Sequence, residues 1–321
     1  MKLTQAHHTS FLRNTLFLPT VLLTSLLLIN WLLQPNFFAP HVVRSNILTF
    51  SPLCLVAMGQ AIIMIGGNLD LSVGYGFSLI NCVIAMNMSM EPGMAVHNGM
   101  VLGVAFVIAI VMGIINGCIV GYLKVPSFIA TFATAFIWWG VAIKVCPVPG
   151  GAVPGSFTKF FKAYIGPFNV IFLLVVLTAL GWVLLNQFRL GRYIFAIGSN
   201  KEAAYSNGIS VNKVTLTAFA LGWIFVYLGT LALTIQTRAG DAAVGDPYAL
   251  NSIAAAVVGG VSMKGGVGSP FGAIMGAIIL SIIMNIIYFS GLPTSFQVLV
   301  RGIIIIIALG ATVVFKRKYR E

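Results

Sequence analysis

Asp70 is the one carboxylate set in apolar sequence; Glu91, Glu202, Asp241, Asp246 and Glu321 fall in expected loops or the C-terminal tail. An acid at membrane depth is costly and is a functional candidate by default. Two chemistries suit it. A titrating Asp70 would couple proton movement to transport. A permanently hydrogen-bonded Asp70 would accept from the free N–H groups of Leu71, Ser72 and Val73 and so open a helix. Asp-Leu-Ser-Val-Gly fits the helix-opening role well, and a proton relay would need further intramembrane acids or histidines that the sequence does not offer.

Asp70 belongs to the first of two glycine-rich stretches, Gly66-Gly67-Asn68-Leu69-Asp70-Leu71-Ser72-Val73-Gly74. The second contains Gly259-Gly260 and Gly265-Gly266 and ends at Pro270. Each follows one apolar run and precedes another. Glycine releases the backbone from helical geometry, and irregular backbone at membrane depth survives only where protein buries it or a cavity wets it. Paired interruptions suit an internally duplicated transporter; two glycine-rich turns at the membrane surface are the plainer alternative. The candidate pathway residues are therefore Gly66, Gly67, Asn68, Asp70, Ser72, Gly74, Gly259, Gly260, Gly265 and Gly266.

The elements that hold these residues are membrane spans. The chain has 321 residues, 59% hydrophobic and only 7% charged, against about 25% charged in a soluble domain. A soluble protein could not cover its surface with so few charges. Apolar runs near 15–33, 47–65, 72–89, 100–122, 127–145, 169–187, 214–235, 250–262, 271–288 and 296–315 predict about ten transmembrane helices in one all-α domain covering 1–321. With a cytoplasmic N-terminus, twelve of the eighteen Lys and Arg residues lie inside, and both termini are cytoplasmic. The net charge of +12 then reflects membrane topology and not nucleic-acid binding. Gly113, Gly117 and Gly121 form a small-residue stripe for close helix packing, as do Gly99 with Gly103 and Gly272 with Gly276.

No catalytic constellation is present. G-x-S-x-G, H-E-x-x-H and a phosphate-binding G-x-x-x-x-G-K-[ST] loop are all missing, and the Cys and His residues lack metal-ligand spacing. Any ATP that drives this chain is hydrolysed elsewhere. The most polar connection, 188–213, reads as a capped short helix, Ser199 to Ala204, stopped at Asn207-Gly208. It suits docking of a cytoplasmic partner or a plain amphipathic connector. The longest outward loops are 146–168 and 236–249.

Three segments resemble signatures of the ribose/xylose-type (monosaccharide) ABC transporter permease subunits. Gly66 to Gly74 is similar to their GG-I-DLSVG signature, and Arg189-Leu-Gly-Arg192 through Gly198, Asn200 and Gly208-Ile209 to their cytoplasmic loop. Leu250 through Gly268 is similar to a third. Asn68 and Asn207 depart from the residues common there. The resemblance implies a bacterial inner-membrane permease without its own catalytic site or cofactor. It implies a partner ATPase with two fused nucleotide-binding halves that holds ATP and Mg, a periplasmic sugar-binding protein, and a second permease copy or close paralogue. It gives Arg192, Gly198, Asn200, Glu202, Ala203, Ala204, Gly208 and Ile209 a role in ATPase coupling. The outward loops would dock the binding protein, with Lys159, Lys162 and Arg238 facing its acids. A proton-coupled transporter using Asp70, and an ABC permease for autoinducer-2 or another non-sugar solute, are the alternatives.

Overall fold

The computed structural model describes residues 16–165 and 168–289, with scattered residues between 291 and 310. Its helices are α1 (Phe17–Leu33), α2 (Pro40–Ile65), α3 (Val73–Asn87), α4 (Ala95–Gly121), α5 (Ser127–Val145), α6 (Gly155–Lys162), α7 (Val170–Gln187), α8 (Arg189–Ser199), α9 (Lys201–Ser206), α10 (Val211–Thr237), α11 (Asp246–Val258) and α12 (Pro270–Phe289). One small antiparallel pair, β1 (Tyr164–Ile165) with β2 (Phe168–Asn169), precedes α7.

Among the described residues, six helices are long and apolar enough to cross a membrane: α2, α4, α5, α7, α10 and α12. The chain is thus a multi-pass membrane protein. Three further expected spans are shorter: α1, α3 and α11, the last with 13 residues. The tenth, 296–315, and the basic tail fall mostly outside the described residues.

Two helices form the centre. Glycines let α2 and α10 touch backbone to backbone: a Cβ on Gly59 would stand 2.4 Å from the Gly222 carbonyl oxygen. The stripe Gly113, Gly117 and Gly121 seats α4 on α10 against Trp223, Leu216 and Asn212, while Gly99 and Gly103 face open space. Gly272 and Gly276 seat α12 on the backbone of Gly259 and Ala255 in α11. The outer helices α4, α5 and α7 turn Val107, Phe136, Ile137, Leu177 and Leu184 outward. Such a surface is stable only in lipid.

Two non-helical segments run inside this bundle, and they enter from opposite ends. Residues 66–72 connect α2 to α3. Residues 238–245 leave the far end of α10 and descend along α3, so that Gly245 packs against the Gly74 carbonyl oxygen. The expected outward loop 236–249 is therefore partly internal: Gly240 and Gly245 are buried and 246–249 already belong to α11. Side chains of α3 draw it inward, because they supply the hydrogen bonds its backbone would otherwise take from water.

Candidate functional site

The segment 66–72 begins with a helix cap. Gly66 ends α2 at φ −70°, and Gly67 takes the left-handed φ of +75°. The Gly67 N–H donates to the Met64 carbonyl and the Asn68 N–H to that of Ile63, at 2.9 and 3.2 Å. This i→i−3 and i→i−5 pairing satisfies the last helical carbonyls, and the left-handed position favours glycine. Gly259-Gly260 ends α11 in the same way: φ is −70° and then +92°, and the Val261 N–H reaches Ala256 at 2.9 Å. The paired glycines of the sequence are thus one cap used twice.

Beyond the first cap the chain is extended, and each N–H must find a partner off the helix. Ser127 Oγ accepts from Leu69 N at 3.1 Å, and Thr131 Oγ1 from Leu71 N at 3.0 Å. The match is geometric: four residues along α5 and two along an extended chain both advance about 6–7 Å. With its amide oriented to satisfy both groups, Gln60 of α2 donates to the Asp70 carbonyl and accepts from the Asp70 N–H, both at 3.2 Å. Ser72 N donates to Asp70 Oδ1 at 2.9 Å.

The Asp70 carboxylate is fully buried and saturated. Its Oδ1 also accepts from Ser72 Oγ at 2.6 Å, and its Oδ2 from Trp223 Nε1 at 2.9 Å and Asn116 Nδ2 at 3.3 Å. Asn116 Nδ2 donates to Ser72 Oγ at 2.7 Å and its Oδ1 accepts from Thr134 at 2.8 Å. The carboxylate thereby ties the start of α3 to α4 and α10, and Asn116 extends the network to α5. Of the three N–H groups expected to bond it, only that of Ser72 does. Leu71 goes to Thr131, and Val73 already continues the helix that Ser72 opens. Asn68 is buried and donates to Gly66 O at 3.1 Å.

Sequence reasoning missed Gln60, Asn116, Thr131, Thr134 and Trp223. Their signal was present, since a lone amide or indole in an apolar run must find a partner when buried.

The connection 188–213 folds back onto the same end of the bundle. Helix α8 buries Ile194 and Ile197, and brings Gly198 against the end of α2. The Gly266 N–H donates to Ile65 O at 2.8 Å. A Cβ on Gly198 would stand 1.8 Å from that same oxygen and 2.6 Å from Gly266 N, and one on Gly265 would meet Gly67 Cα at 2.7 Å. Three distant glycine motifs therefore meet at one backbone junction, where no side chain fits.

Outward from the junction, Asn200 caps α9 through Oδ1 to Ala203 N at 2.9 Å, one residue beyond the expected Ser199. Gly208, at φ +77°, ends α9 with the same cap as Gly67 and Gly260, and Ile209 N reaches Ala204 O at 3.1 Å. Ala204 is buried, whereas Arg192, Glu202, Ala203 and Tyr205 are exposed, Tyr205 at 75%. At the opposite end, Lys159 and Lys162 lie on α6, whose Phe157 and Phe161 pack inward. Arg238 caps α10 with an exposed side chain at φ 56°.

Residues 43–309 match the family described as "Branched-chain amino acid transport system / permease component". This chain belongs to that permease family. It is 34% identical to the galactose/methyl galactoside import permease protein MglC of Salmonella typhimurium, over 83% of this chain and 84% of that one. It is 30% identical to the ribose import permease protein RbsC of Bacillus subtilis, over 88% of each, and 28% identical to that of Haemophilus influenzae, over 87% of each. No solved structure matches. The permease thus carries its two recognisable glycine breaks at a shared backbone junction and its buried acid in a closed hydrogen-bond network. Among the described residues no cluster of His, Cys, Asp or Glu could hold a metal.

Proposed function

We propose that this chain is the membrane-spanning subunit of a binding-protein-dependent ABC importer that moves a monosaccharide, a pentose or a hexose, into the cytoplasm. Two kinds of observation support it. The relatives are import permeases for galactose and ribose along nearly their full length. The polar connection 188–213 is in backbone contact with the end of α2 and with Gly265-Gly266, which follow the cap of α11, so force on it reaches α2 directly and α11 through that short segment. The second observation carries the mechanism.

In this reading the junction end is cytoplasmic and both termini lie there, in a bacterial inner membrane. The chain crosses ten times, counting the three short helices and the segment 296–315, and the twin caps are remnants of an internal duplication. A partner ATPase with two fused nucleotide-binding halves holds ATP and Mg. It docks on Arg192, Asn200, Glu202, Ala203 and Ile209, with exposed Tyr205 as its aromatic anchor. Closure of the ATPase pushes α9 and α8, and Gly198 passes the displacement to Ile65 and Gly266. The helix pairs then repack between inward- and outward-facing arrangements. A periplasmic binding protein docks at the opposite end near Lys159, Lys162 and Arg238, and a second permease copy or close paralogue completes the pathway. Asp70 is structural in this scheme: with both oxygens occupied by donors, it holds the start of α3 and relays no proton.

The test is reconstitution with the cognate ATPase and binding protein in lipid vesicles, screened with pentoses, hexoses and autoinducer-2. Sugar-stimulated ATP hydrolysis that Gly198→Val abolishes supports the coupled importer. Uptake that needs a proton gradient and no ATPase sinks it and returns Asp70 to the centre of the mechanism. Stimulation by a non-sugar solute alone keeps the importer and replaces its cargo.

A further inference from the structure

Between α2, α11 and α12 lies an open cleft of about 320 Å³, near the small end of the range for ligand pockets, about 300–1,000 Å³. Its lining differs from the other exposed helix faces. Thr49, Asn251, Ser281 and Asn285 bring hydroxyls and amides to it, and among the described residues no charged side chain lines it. The neighbouring cleft on the far side of Phe50, about 270 Å³, is walled by Leu27, Phe37, Val43, Ile274 and Ile278 and suits a lipid chain.

The polar groups keep bonding capacity. The Asn251 side chain makes no hydrogen bond among the described residues. Asn285 Nδ2 donates to Asn46 Oδ1 at 3.3 Å, leaving the Asn285 oxygen available. Ser281 donates to Ala277 O and Thr49 to Ser45 O, which leaves both hydroxyl oxygens as acceptors. An aromatic wall completes the site: Tyr248 stacks on Phe77 with ring centroids 4.4 Å apart, and Phe50 stands beside it. Neutral donors and acceptors facing an aromatic surface match a sugar ring, with its rim of hydroxyls and its apolar C–H face.

We propose that this cleft is a transient monosaccharide subsite of the permease, with Asn251 and Asn285 as its main hydrogen-bonding residues. The inference rests on the importer reading and deepens it. Helix α11 links the subsite to the junction: Tyr248 and Asn251 lie in its first turns, and its other end is the Gly259-Gly260 cap. Displacement of Gly265-Gly266 by α8 is carried back through the segment after the cap and shifts Asn251 relative to Ser281 and Asn285, which loosens the sugar as the chain changes state.

The experiment uses the full transporter in vesicles and reads uptake of radiolabelled galactose and ribose per ATP hydrolysed. Losing one hydrogen bond of ordinary strength predicts about a threefold to tenfold fall for Asn251→Ala and for Asn285→Ala, with binding-protein-stimulated hydrolysis retained. Leu177→Ala, on the outer face of α7, keeps the wild-type ratio. A second measurement covers variants that assemble poorly: Ser281→Cys is expected to react with a water-soluble thiol reagent, more slowly when galactose or ribose is in excess. Wild-type ratios in both Asn variants overturn the subsite. So does a thiol introduced by Ser281→Cys that no aqueous reagent reaches because a second chain covers the cleft. If the wild-type transporter moves neither sugar while another solute passes, the importer's cargo fails and the subsite fails with it.

Discussion

The two internal segments 66–72 and 238–245 solve one problem with different chemistry. Each threads irregular backbone through a helix bundle, and each must pair N–H groups that water cannot reach. The first gathers its partners round a carboxylate, with Gln60, Ser127 and Thr131 on its backbone. The second gathers them round a neutral amide. Asn81 Oδ1 accepts from Asp241 N at 2.9 Å, while its Nδ2 donates to Thr234 and to Ala239 O at 2.8 and 3.2 Å. Ser78 Oγ then accepts from Gly245 N at 2.8 Å. The segments meet where Gly245 touches Gly74, so α3 and α11 start side by side and run to opposite ends.

The difference is in what each segment connects. Asp70 joins three helices, α3, α4 and α10, through one side chain and reaches α5 through Asn116, and a charge can hold several donors because each charge-assisted bond is stronger than a neutral one. Asn81 joins only α3 to the end of α10 and the descending chain. The first segment therefore has the bonding of an anchor, and the second that of a lighter tie.

Mutations should separate the two. Asp70→Ala has the largest expected effect, since the Ser72 and Trp223 donors lose their acceptor inside the bundle; about 3–5 kcal/mol of stability should go, read as thermal unfolding in detergent. Asp70→Asn keeps the shape and should cost less, about 1–3 kcal/mol. Uptake by that variant should also persist when the proton gradient is collapsed. Loss of gradient dependence as a new property would instead mean that Asp70 titrates in the wild type.

Gly245→Ala comes next. Its Cβ would lie 2.0 Å from the Gly74 oxygen, and such overpacking costs about 1–3 kcal/mol; uptake should fall with stability, because α3 and α11 must separate. Asn81→Ala removes the lighter tie and should cost about 1–2 kcal/mol. If it proves as damaging as Asp70→Ala, the contrast between anchor and tie is wrong. The smallest effect is expected at Gly208→Ala, where space is open and only the left-handed φ of +77° is strained, about 1 kcal/mol. Binding-protein-stimulated ATP hydrolysis should stay near wild type there, and fall sharply for Gly198→Ala at the crowded junction.

Much of the first segment is legible from the chain itself. An acid in an apolar run, flanked by Gly-Gly and Ser-Val-Gly, announces a helix end, a break and a new start, because burial, φ and capping are local properties of those residue types. The second segment is not legible in that way. Arg238, Asp241 and Asp246 have the composition of an ordinary surface loop, and their descent into the bundle depends on Asn81 and Ser78 of α3, far away in sequence. The stripe Gly113, Gly117 and Gly121 signals close packing, but its partner, α10, follows only from the fold.

By itself, then, the sequence determined the solvent this protein lives in, most of its helices and the caps that end them, since each depends on residue type over a short span. Tertiary structure alone decided which of the apolar helices lie at the centre. Helices α2 and α10 are 78% and 72% buried over their most apolar stretch, while α7 is 22% buried, and lipid and protein interior are equally apolar, so hydrophobicity cannot tell them apart. It also decided that Gly67, Gly198 and Gly266 share one junction. That meeting depends on backbone approach between segments far apart in the chain, and no local preference encodes it.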